Sequence, residues 1–129
     1  MYNSSKINDY YKKKLAKLKI EESARKRRRE DVLFRISDNL RIRTFNYLKK
    51  LNISHRELLG CNLEELKNHL ESKFTERMSF DNYGEWEIDH IKPISKFNLD
   101  DEYEIRECFN YKNIQPLWKI DNIKKSNKY

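Results

Sequence analysis

The stretch "WEIDHIKP", Trp86 to Pro93, decides how this sequence is interpreted. Its apolar side chains at Trp86 and Ile88 alternate with polar ones, which indicates a β-strand, and the proline ends that strand because it has no backbone N–H for a ladder. Within the strand, Asp89 stands directly before His90. Neighbouring side chains of a regular strand point to opposite faces. We therefore expect a twisted or bulged strand end, which would bring both side chains into one cleft.

This Asp-His pair has the chemistry that hydrolysis needs. Asp89 is a hard oxygen donor suited to Mg²⁺, and His90 can take a proton from water near pH 7. Further along, "NIQPLWKIDNIKKS" adds Asn113 and Asn122, whose amides can form hydrogen bonds or bind a metal through oxygen. If residues 119–126 are helical, Asn122 and Lys125 share one face at i, i+3. An amide ligand and a cation would then point together, as a phosphate-cleaving site requires.

A purely structural interpretation of the same residues stays open. On the dipeptide alone, a strand-end histidine hydrogen-bonded by Asp89 is the simpler account, and Asn113 and Asn122 have turn and capping roles available to them. The other two histidines, His55 and His69, are interpreted as turn and partly exposed helix residues. No Asp, Cys or His stands at ligand spacing on the helix face of His69.

The residues upstream of this stretch are predicted to form helices. Residues 5–34 contain no Gly or Pro and are rich in Lys, Arg, Glu, Leu and Ala, so they favour a long exposed helix or a mobile arm. Residues 37–52 follow helical spacing, with Ser37 or Asp38 as the N-cap. The apolar side chains expected to share one face of this second helix are Leu40, Phe45, Leu48 and Leu51.

A second packed helix is predicted for residues 62–74. Asn62 with Glu65 three residues later forms a capping-box pattern, and leucines at helical spacing line one side. Beyond Trp86, the sequence predicts a short helix at 100–109, a short edge strand at 113–118, and one or two helical turns after it. The order from residue 86 onward is therefore strand, insertion, strand, helix.

Positive charge is concentrated in the first half of the chain. The net charge is +7; residues 1–60 carry 17 Lys and Arg against seven Asp and Glu, whereas residues 61–129 carry 11 against 14. A cationic segment joined to a mildly acidic one suits a polyanion-binding arm on a folded unit, because Lys and Arg gain affinity by releasing phosphate counterions. From charge alone, a solvated charged helix explains the same run equally well.

Composition excludes several classes of protein. The 129 residues are the size of one domain, and an aromatic content of 12% argues against wholesale disorder. Cys61 and Cys108 are 47 residues apart, which indicates neither a zinc knuckle nor a disulfide framework and fits a reducing compartment. No apolar run approaches the roughly 20 residues of a membrane span, and the N-terminus lacks the apolar core of a secretory signal. We expect a soluble, intracellular protein without membrane contact.

On these residues the sequence resembles the HNH endonucleases, also called His-Me finger or ββα-metal nucleases. The resemblance runs through "IDHIKP", "YKNIQPLW" and "DNIKKSN" in that order, and the flanking segments look like those of HNH proteins of phages and large DNA viruses. It covers roughly residues 40–127. It implies an α+β fold, with a small ββα-metal finger at about 86–127 inside a nuclease domain, residues 37–129, that includes packed N-terminal helices. Residues 1–36 would form a basic helical arm that binds nucleic acid.

The resemblance implies a role for each residue of the motif. His90 matches the general base that acts on the attacking water, and Asp89 matches the carboxylate that binds the divalent metal. Asn113 matches the middle asparagine, which ties the loop between the strands and steadies the histidine. Asn122 matches the second metal ligand, which makes this an H-N-N variant. Lys125 stands where a basic residue often contacts the substrate phosphate.

The implied activity is metal-dependent hydrolysis of DNA phosphodiester bonds that leaves 5′-phosphate and 3′-hydroxyl ends. Mg²⁺ is the expected cofactor, with Mn²⁺ as the alternative; no structural zinc is expected because the paired-cysteine staple of some HNH proteins is missing. The gap of 23 residues between the catalytic histidine and the middle asparagine is longer than in compact members. Residues 95–109 must therefore be an insertion that folds away from the cleft. Packing of Trp86, Phe109 and Trp118 would hold the finger.

DNA is the expected partner of the first 60 residues. Basic side chains there would contact phosphates without reading bases. These side chains are Lys12, Lys13, Lys14, Arg25, Lys26, Arg27, Arg28, Arg29, Arg41 and Arg43. The expected location is the cytoplasm of a bacterial or virus-infected host cell.

Several alternatives stay open at this point. The substrate is duplex, branched or single-stranded DNA, or RNA, and a homodimer or successive nicks would both account for cleavage of two strands. Two other functions compete with the nuclease. One is a catalytically inactive nucleic-acid-binding protein on an HNH scaffold; the other is a basic helical interaction module in which Asp89, His90 and Asn122 are structural.

Overall fold

The computed structural model describes the backbone of residues 4–125 and their side chains apart from those of residues 4, 5 and 28. The described part of the chain is α+β, with helices and one two-stranded antiparallel sheet. Its elements are α1 (Ser4–Leu51), α2 (His55–Leu59), α3 (Leu63–Ser72), β1 (Trp86–His90), α4 (Glu102–Phe109), β2 (Ile114–Trp118) and α5 (Lys119–Lys125). Short 3₁₀ turns lie at Phe80–Asn82, Ile94–Lys96 and Tyr111–Asn113.

The sequence predicted two separate helical segments before residue 52, and this prediction is wrong. Helix α1 is continuous from Ser4–Leu51, so neither Ser37 nor Asp38 caps a new helix. The uninterrupted run without Gly or Pro explains this, because a Ser or Asp that points to solvent costs a helix interior little. Contacts divide the chain into two units, residues 1–31 and 32–129.

The first unit carries the predicted basic arm on exposed helix. Its lysines and arginines at the predicted DNA-contact positions are exposed: Lys12, Lys13, Lys14, Arg25, Lys26, Arg27 and Arg29. Arg28 belongs to the same group, and its side chain lies outside the described residues.

The second unit contains two clusters of buried side chains. The first joins the C-terminal part of α1 to α3 and the sheet: Val32, Leu33, Ile36, Leu40, Leu59, Leu66, Leu70, Met78, Phe80, Trp86, Ile88 and Ile114. The second lies around α2 and α4: Ile53, Leu58, Ile105, Cys108 and Phe109.

Phe45, predicted on the inner face of its helix, is 45% exposed. Thr44 takes the inward position between Leu40 and Leu48, and its hydroxyl donates to the Leu40 carbonyl (3.1 Å).

Helix α3 begins as its sequence predicts. The Asn62 side chain accepts from the Glu65 backbone N–H at 2.8 Å, and the Glu65 carboxylate accepts from the Asn62 N–H at 3.5 Å. Leu66 and Leu70 are fully buried against the sheet cluster. The predicted capping box is therefore confirmed, and the predicted apolar stripe of Leu63, Leu66, Leu70 and Phe74 is confirmed except at Leu63, which is 42% exposed.

Strands β1 and β2 pair with each other as a hairpin and form the sheet of the second unit. Its antiparallel register runs from Trp86↔Trp118 to His90↔Ile114. The Trp86 side chain is fully buried, and its indole N–H donates to the Ser79 carbonyl at 2.7 Å. Helix α5 follows β2 directly and packs on both strands. The predicted order of strand, insertion, strand and helix is present.

Both cysteines, Cys61 and Cys108, are free. In the part of the chain that the structure describes, none of the helices combines the length and the apolar character needed to cross a membrane.

Candidate active site

On the face of the hairpin that packs against α5, a lysine of α5 forms an ion pair with an aspartate of β1. Lys125 Nζ lies 2.6 Å from Asp89 Oδ2, and the two side chains are only 14% and 9% exposed. The same ammonium group donates to the backbone carbonyls of His90 at 2.7 Å and Ile91 at 3.2 Å. These bonds hold the ammonium group of Lys125 at the end of β1, next to the turn that follows the strand.

Two further polar side chains complete this face. Gln115 stands opposite Asp89 in the ladder and donates from Nε2 to Asp89 Oδ2 at 2.9 Å. Glu87, two residues before Asp89 and therefore on the same face of the strand, accepts from Asn122 Nδ2 at 2.8 Å. The predicted metal ligands Asp89 and Asn122 thus both reach the α5 side of the hairpin, each with a different partner.

His90 leaves the strand on the other side. The ladder is regular through His90↔Ile114, so the expected bulge is not observed and neighbouring side chains alternate between faces. The His90 side chain is 8% exposed and lies edge-on to Phe109, with ring centroids 6.0 Å apart. Phe109 comes from the insertion, which therefore packs on the histidine instead of folding wholly away from it.

Burial sets the protonation state of His90. The pKa of this imidazole is lowered to about 4. Desolvation is the largest cause and the positive charge of Arg43 the second; Asp89 opposes the shift, and Lys125 adds the smallest lowering effect. The ring is neutral at pH 7, as a general base must be before it accepts a proton. Although Asp89 and Lys125 contact each other on the opposite face, both lie close enough to act on this ring.

Because the pKa of His90 is depressed in the folded state, acid should destabilise the metal-free protein. The contribution of this histidine is fully present above its usual pKa of 6.5 and is lost as the pH falls through about 4. The shift corresponds to about 3 kcal/mol of unfolding free energy. Urea unfolding in EDTA at pH 7, 5.5 and 4 measures it, and His90→Gln should show a much smaller loss. An identical loss in the variant would contradict the assignment.

Asn113 joins the turn after β1 to the segment before β2. Its Nδ2 donates to the carbonyls of Lys92 at 3.1 Å and Cys108 at 3.0 Å, and its Oδ1 accepts from the Lys92 N–H at 2.9 Å. Its backbone carbonyl accepts from the Ile91 N–H at 2.7 Å. These bonds hold the backbone on the C-terminal side of His90, so the contacts of Asn113 are structural.

The two arginines predicted to extend the DNA surface differ in their contacts. Arg41 is paired with Asp38 at 2.7 Å, which partly neutralises it. Arg43 Nη1 donates to the Ile88 carbonyl at 3.0 Å, so its guanidinium lies against β1. This bond explains why Arg43 acts on the pKa of His90.

Sequence reasoning missed three polar residues around the hairpin. Glu87 could have been found from its i, i+2 spacing to Asp89, since such residues share a strand face. Gln115 gives no such signal without knowledge of the register. His69, interpreted as a partly exposed helix residue, places Nε2 2.8 Å from the Ile114 carbonyl and so joins α3 to the start of β2.

The donor atoms on the α5 side suit a hard divalent cation. Asp89 and Glu87 supply carboxylate oxygens, and the Asn122 nitrogen is engaged by Glu87, which leaves the amide oxygen for a ligand. Oxygen donors of these kinds are the ones that Mg²⁺ takes in proteins. The Lys125 ammonium group is bound at this position, which shows that the surrounding oxygens stabilise a positive charge. Among residues 4–125, no group of three His, Cys, Asp or Glu side chains is arranged to bind a metal. The pair of Asp89 and Asn122 differs from such a group because one of its two members is an amide.

The chain is similar to two proteins of Acanthamoeba polyphaga mimivirus. It is 36% identical over 124 residues to uncharacterized protein L426, in an alignment that includes 92% of this chain and 55% of the relative. It is 35% identical over 120 residues to uncharacterized protein L246, with 83% of this chain and 53% of the relative included. The chain thus spans about half the length of the curated relatives it matches. No protein-family profile and no solved structure matches it.

Proposed function

We propose that this protein is a metal-dependent nuclease of the HNH type that hydrolyses DNA phosphodiester bonds. The observation that carries the proposal is the neutral, buried His90 at the end of β1, directly after Asp89, whose side chain lies with those of Glu87 and Asn122 in an oxygen-rich group on the opposite face of the strand. The finger would be the β1-β2-α5 unit, residues 86–125. The order of its elements, and the position of Asn113 between the strands, support the resemblance carried by the sequence motifs.

His90 acts as the general base in this proposal. With its pKa held near 4, an unprotonated ring nitrogen accepts the proton of the attacking water at neutral pH. Phe109 and the hydrogen bonds of Asn113 restrict the movement of the ring and of the backbone beside it. A positioned base of this kind contributes about 10²–10⁴ to the rate.

Asp89 and Asn122 would hold the divalent cation, with Mg²⁺ the best match to their oxygens. When bound, the cation supplies positive charge that stabilises the leaving oxygen. Lys125 Nζ lies 2.6 Å from Asp89 Oδ2, so a cation bound by this carboxylate would have to displace the ammonium group or share the oxygen with it. Its ammonium group is then available for a substrate phosphate, as expected from its place in the motif.

A second candidate function is nucleic-acid binding without cleavage. The close pairing of Lys125 with Asp89 favours it, because an ammonium group that stays on the carboxylate excludes a metal. Binding would then depend on the exposed basic side chains of α1.

Plasmid cleavage distinguishes the two candidates. Supercoiled DNA incubated with the purified protein and Mg²⁺ or Mn²⁺ should become nicked or linear, and EDTA should stop the reaction. Binding that remains intact while plasmid, single strands and RNA all stay uncut would replace the nuclease with the inactive scaffold.

The basic helix predicts a steep dependence of DNA affinity on salt. If about six of its side chains contact phosphates, affinity should fall by about 10³ between 50 and 200 mM salt. Replacing three of them by glutamine (Lys12→Gln, Lys13→Gln and Lys14→Gln together) should make the slope of log K against log salt shallower by about 2.7. Fluorescence anisotropy with a labelled duplex measures both slopes. Lys73→Gln, an exposed lysine at the end of α3, is the control, and an equal change there would contradict a role for the helix.

A further inference from the structure

A cavity of about 510 Å³ opens beside the turn after β1. Its walls come from that turn, from helix α4 and from the 3₁₀ turn before β2. The lining side chains that matter for binding are Lys92, Phe97, Tyr103, Arg106, Lys112 and Asn113. A cavity of this size is within the range of small-ligand sites.

Two aromatic side chains give the cavity apolar surfaces. Phe97 is partly buried, and the ammonium group of Lys92 lies 4.4 Å from its ring centroid. Tyr103 is 70% exposed, so its ring is accessible to a ligand. A hydrogen bond to Glu107, another residue of the lining, and the charge of that carboxylate raise the pKa of the Tyr103 phenol. Exposed aromatic rings of this kind stack on nucleic-acid bases.

Positive charge lies on the same walls. Arg106 is engaged by Glu57 and Glu102 at 3.3 and 3.1 Å. Within the described residues, by contrast, neither Lys92 nor Lys112 forms an ion pair. These two lysines are therefore available to an anionic ligand, and phosphate is the anion that accompanies a base.

The cavity lies beside the turn that follows His90. Lys92 is two residues beyond His90, and the Asn113 side chain bonds to both the N–H and the carbonyl of Lys92. The same asparagine lines the cavity. One wall of the opening is therefore carried by the turn just after His90, which places the opening near the C-terminal end of β1.

We propose that the cavity binds an unpaired nucleotide of the substrate strand, with the base stacked on Tyr103 and the phosphate held by Lys92 and Lys112. The inference rests on the proposed function for the identity of the substrate. A base inside a duplex is already stacked and paired, so a concave pocket with an accessible ring selects a nucleotide that is free of its partner. The preferred substrate is then single-stranded, frayed or branched nucleic acid.

Binding without cleavage tests this site separately from catalysis. Fluorescence anisotropy in EDTA compares a labelled oligothymidylate with a duplex of equal length, for wild-type protein, Tyr103→Ala, Tyr103→Phe and Lys112→Ala. We expect Tyr103→Ala to weaken the single strand about tenfold and the duplex less than twofold, with an unchanged salt slope, because stacking releases no counterions. Tyr103→Phe should bind as wild type. Lys112→Ala should reduce the salt slope for the single strand by about 0.7, and Lys73→Ala should not.

Three results would overturn the proposal. The first is that Tyr103→Ala and Lys112→Ala bind the single strand within twofold of wild type. The second is that these variants lose affinity equally for the single strand and for the duplex. The third is that thymidine monophosphate competes for binding as well as the oligomer does. The last would assign the cavity to a free nucleotide. Because EDTA removes metal from every sample, a protein that cuts no DNA can still show the expected pattern, and a protein that cuts DNA can fail to show it.

Discussion

His90→Ala is expected to lower metal-dependent plasmid cleavage at least a hundredfold, the usual effect of losing a positioned general base. The imidazole that this change removes is neutral at pH 7 because burial lowers its pKa to about 4. Rates of nicking at pH 7.5 with saturating Mg²⁺, measured on wild type and variant from identical preparations, give the ratio.

A matched histidine variant separates the base from general damage. His55→Ala removes a histidine outside the hairpin and should leave the rate within a few fold of wild type. Thermal melts check that each variant is folded. Equal cleavage by His90→Ala and wild type would indicate a contaminating nuclease or a wrong assignment of the base.

Lys125→Met is expected to destabilise the metal-free protein by about 3 kcal/mol, because it leaves the carboxylate of Asp89 buried without its cation. Mg²⁺ at about a hundred times its Kd should restore about 2.7 kcal/mol. Urea unfolding with EDTA and with Mg²⁺ measures both effects. The same titration of Asp89→Asn should show little stabilisation by Mg²⁺.

The neighbouring lysine is the control for this change. Lys124→Met alters an exposed side chain of the same helix and should cost little in either condition. The double variant Asp89→Asn, Lys125→Met should recover part of the lost stability, since no unpaired charge stays buried. If Mg²⁺ stabilises Lys125→Met no more than it stabilises Asp89→Asn, then Asp89 does not bind the metal.

The local elements were predictable because their signals are local. The hydrogen bonds of the capping box at Asn62 join residues only three apart, and the strand at Trp86 depends on alternation over five residues. The break predicted at Ser37 failed for a related reason. A capping residue marks a helix start only where the chain before it is not already helical, and here the helix runs through.

The arrangement around the site was not predictable in the same way. The pairing of Gln115 with Asp89 depends on the register of two strands, and the pairing of Asn122 with Glu87 depends on how α5 packs on them; the partners are 26 and 35 residues apart in sequence. A shift of one residue would turn every side chain to the other face. No local pattern encodes that register, so the partners of the predicted ligands become visible only in the folded chain.

By itself, the sequence determined the residue types of the site, their order, the elements that carry them and the concentration of positive charge in the first half of the chain. The tertiary structure decided which face each residue occupies. It placed Asp89 with Lys125 under α5, buried His90 against Phe109 and brought Arg43 to β1. The physical reason is that propensity and capping act over a few residues, whereas burial, which lowers the pKa of His90, arises only when distant segments pack together.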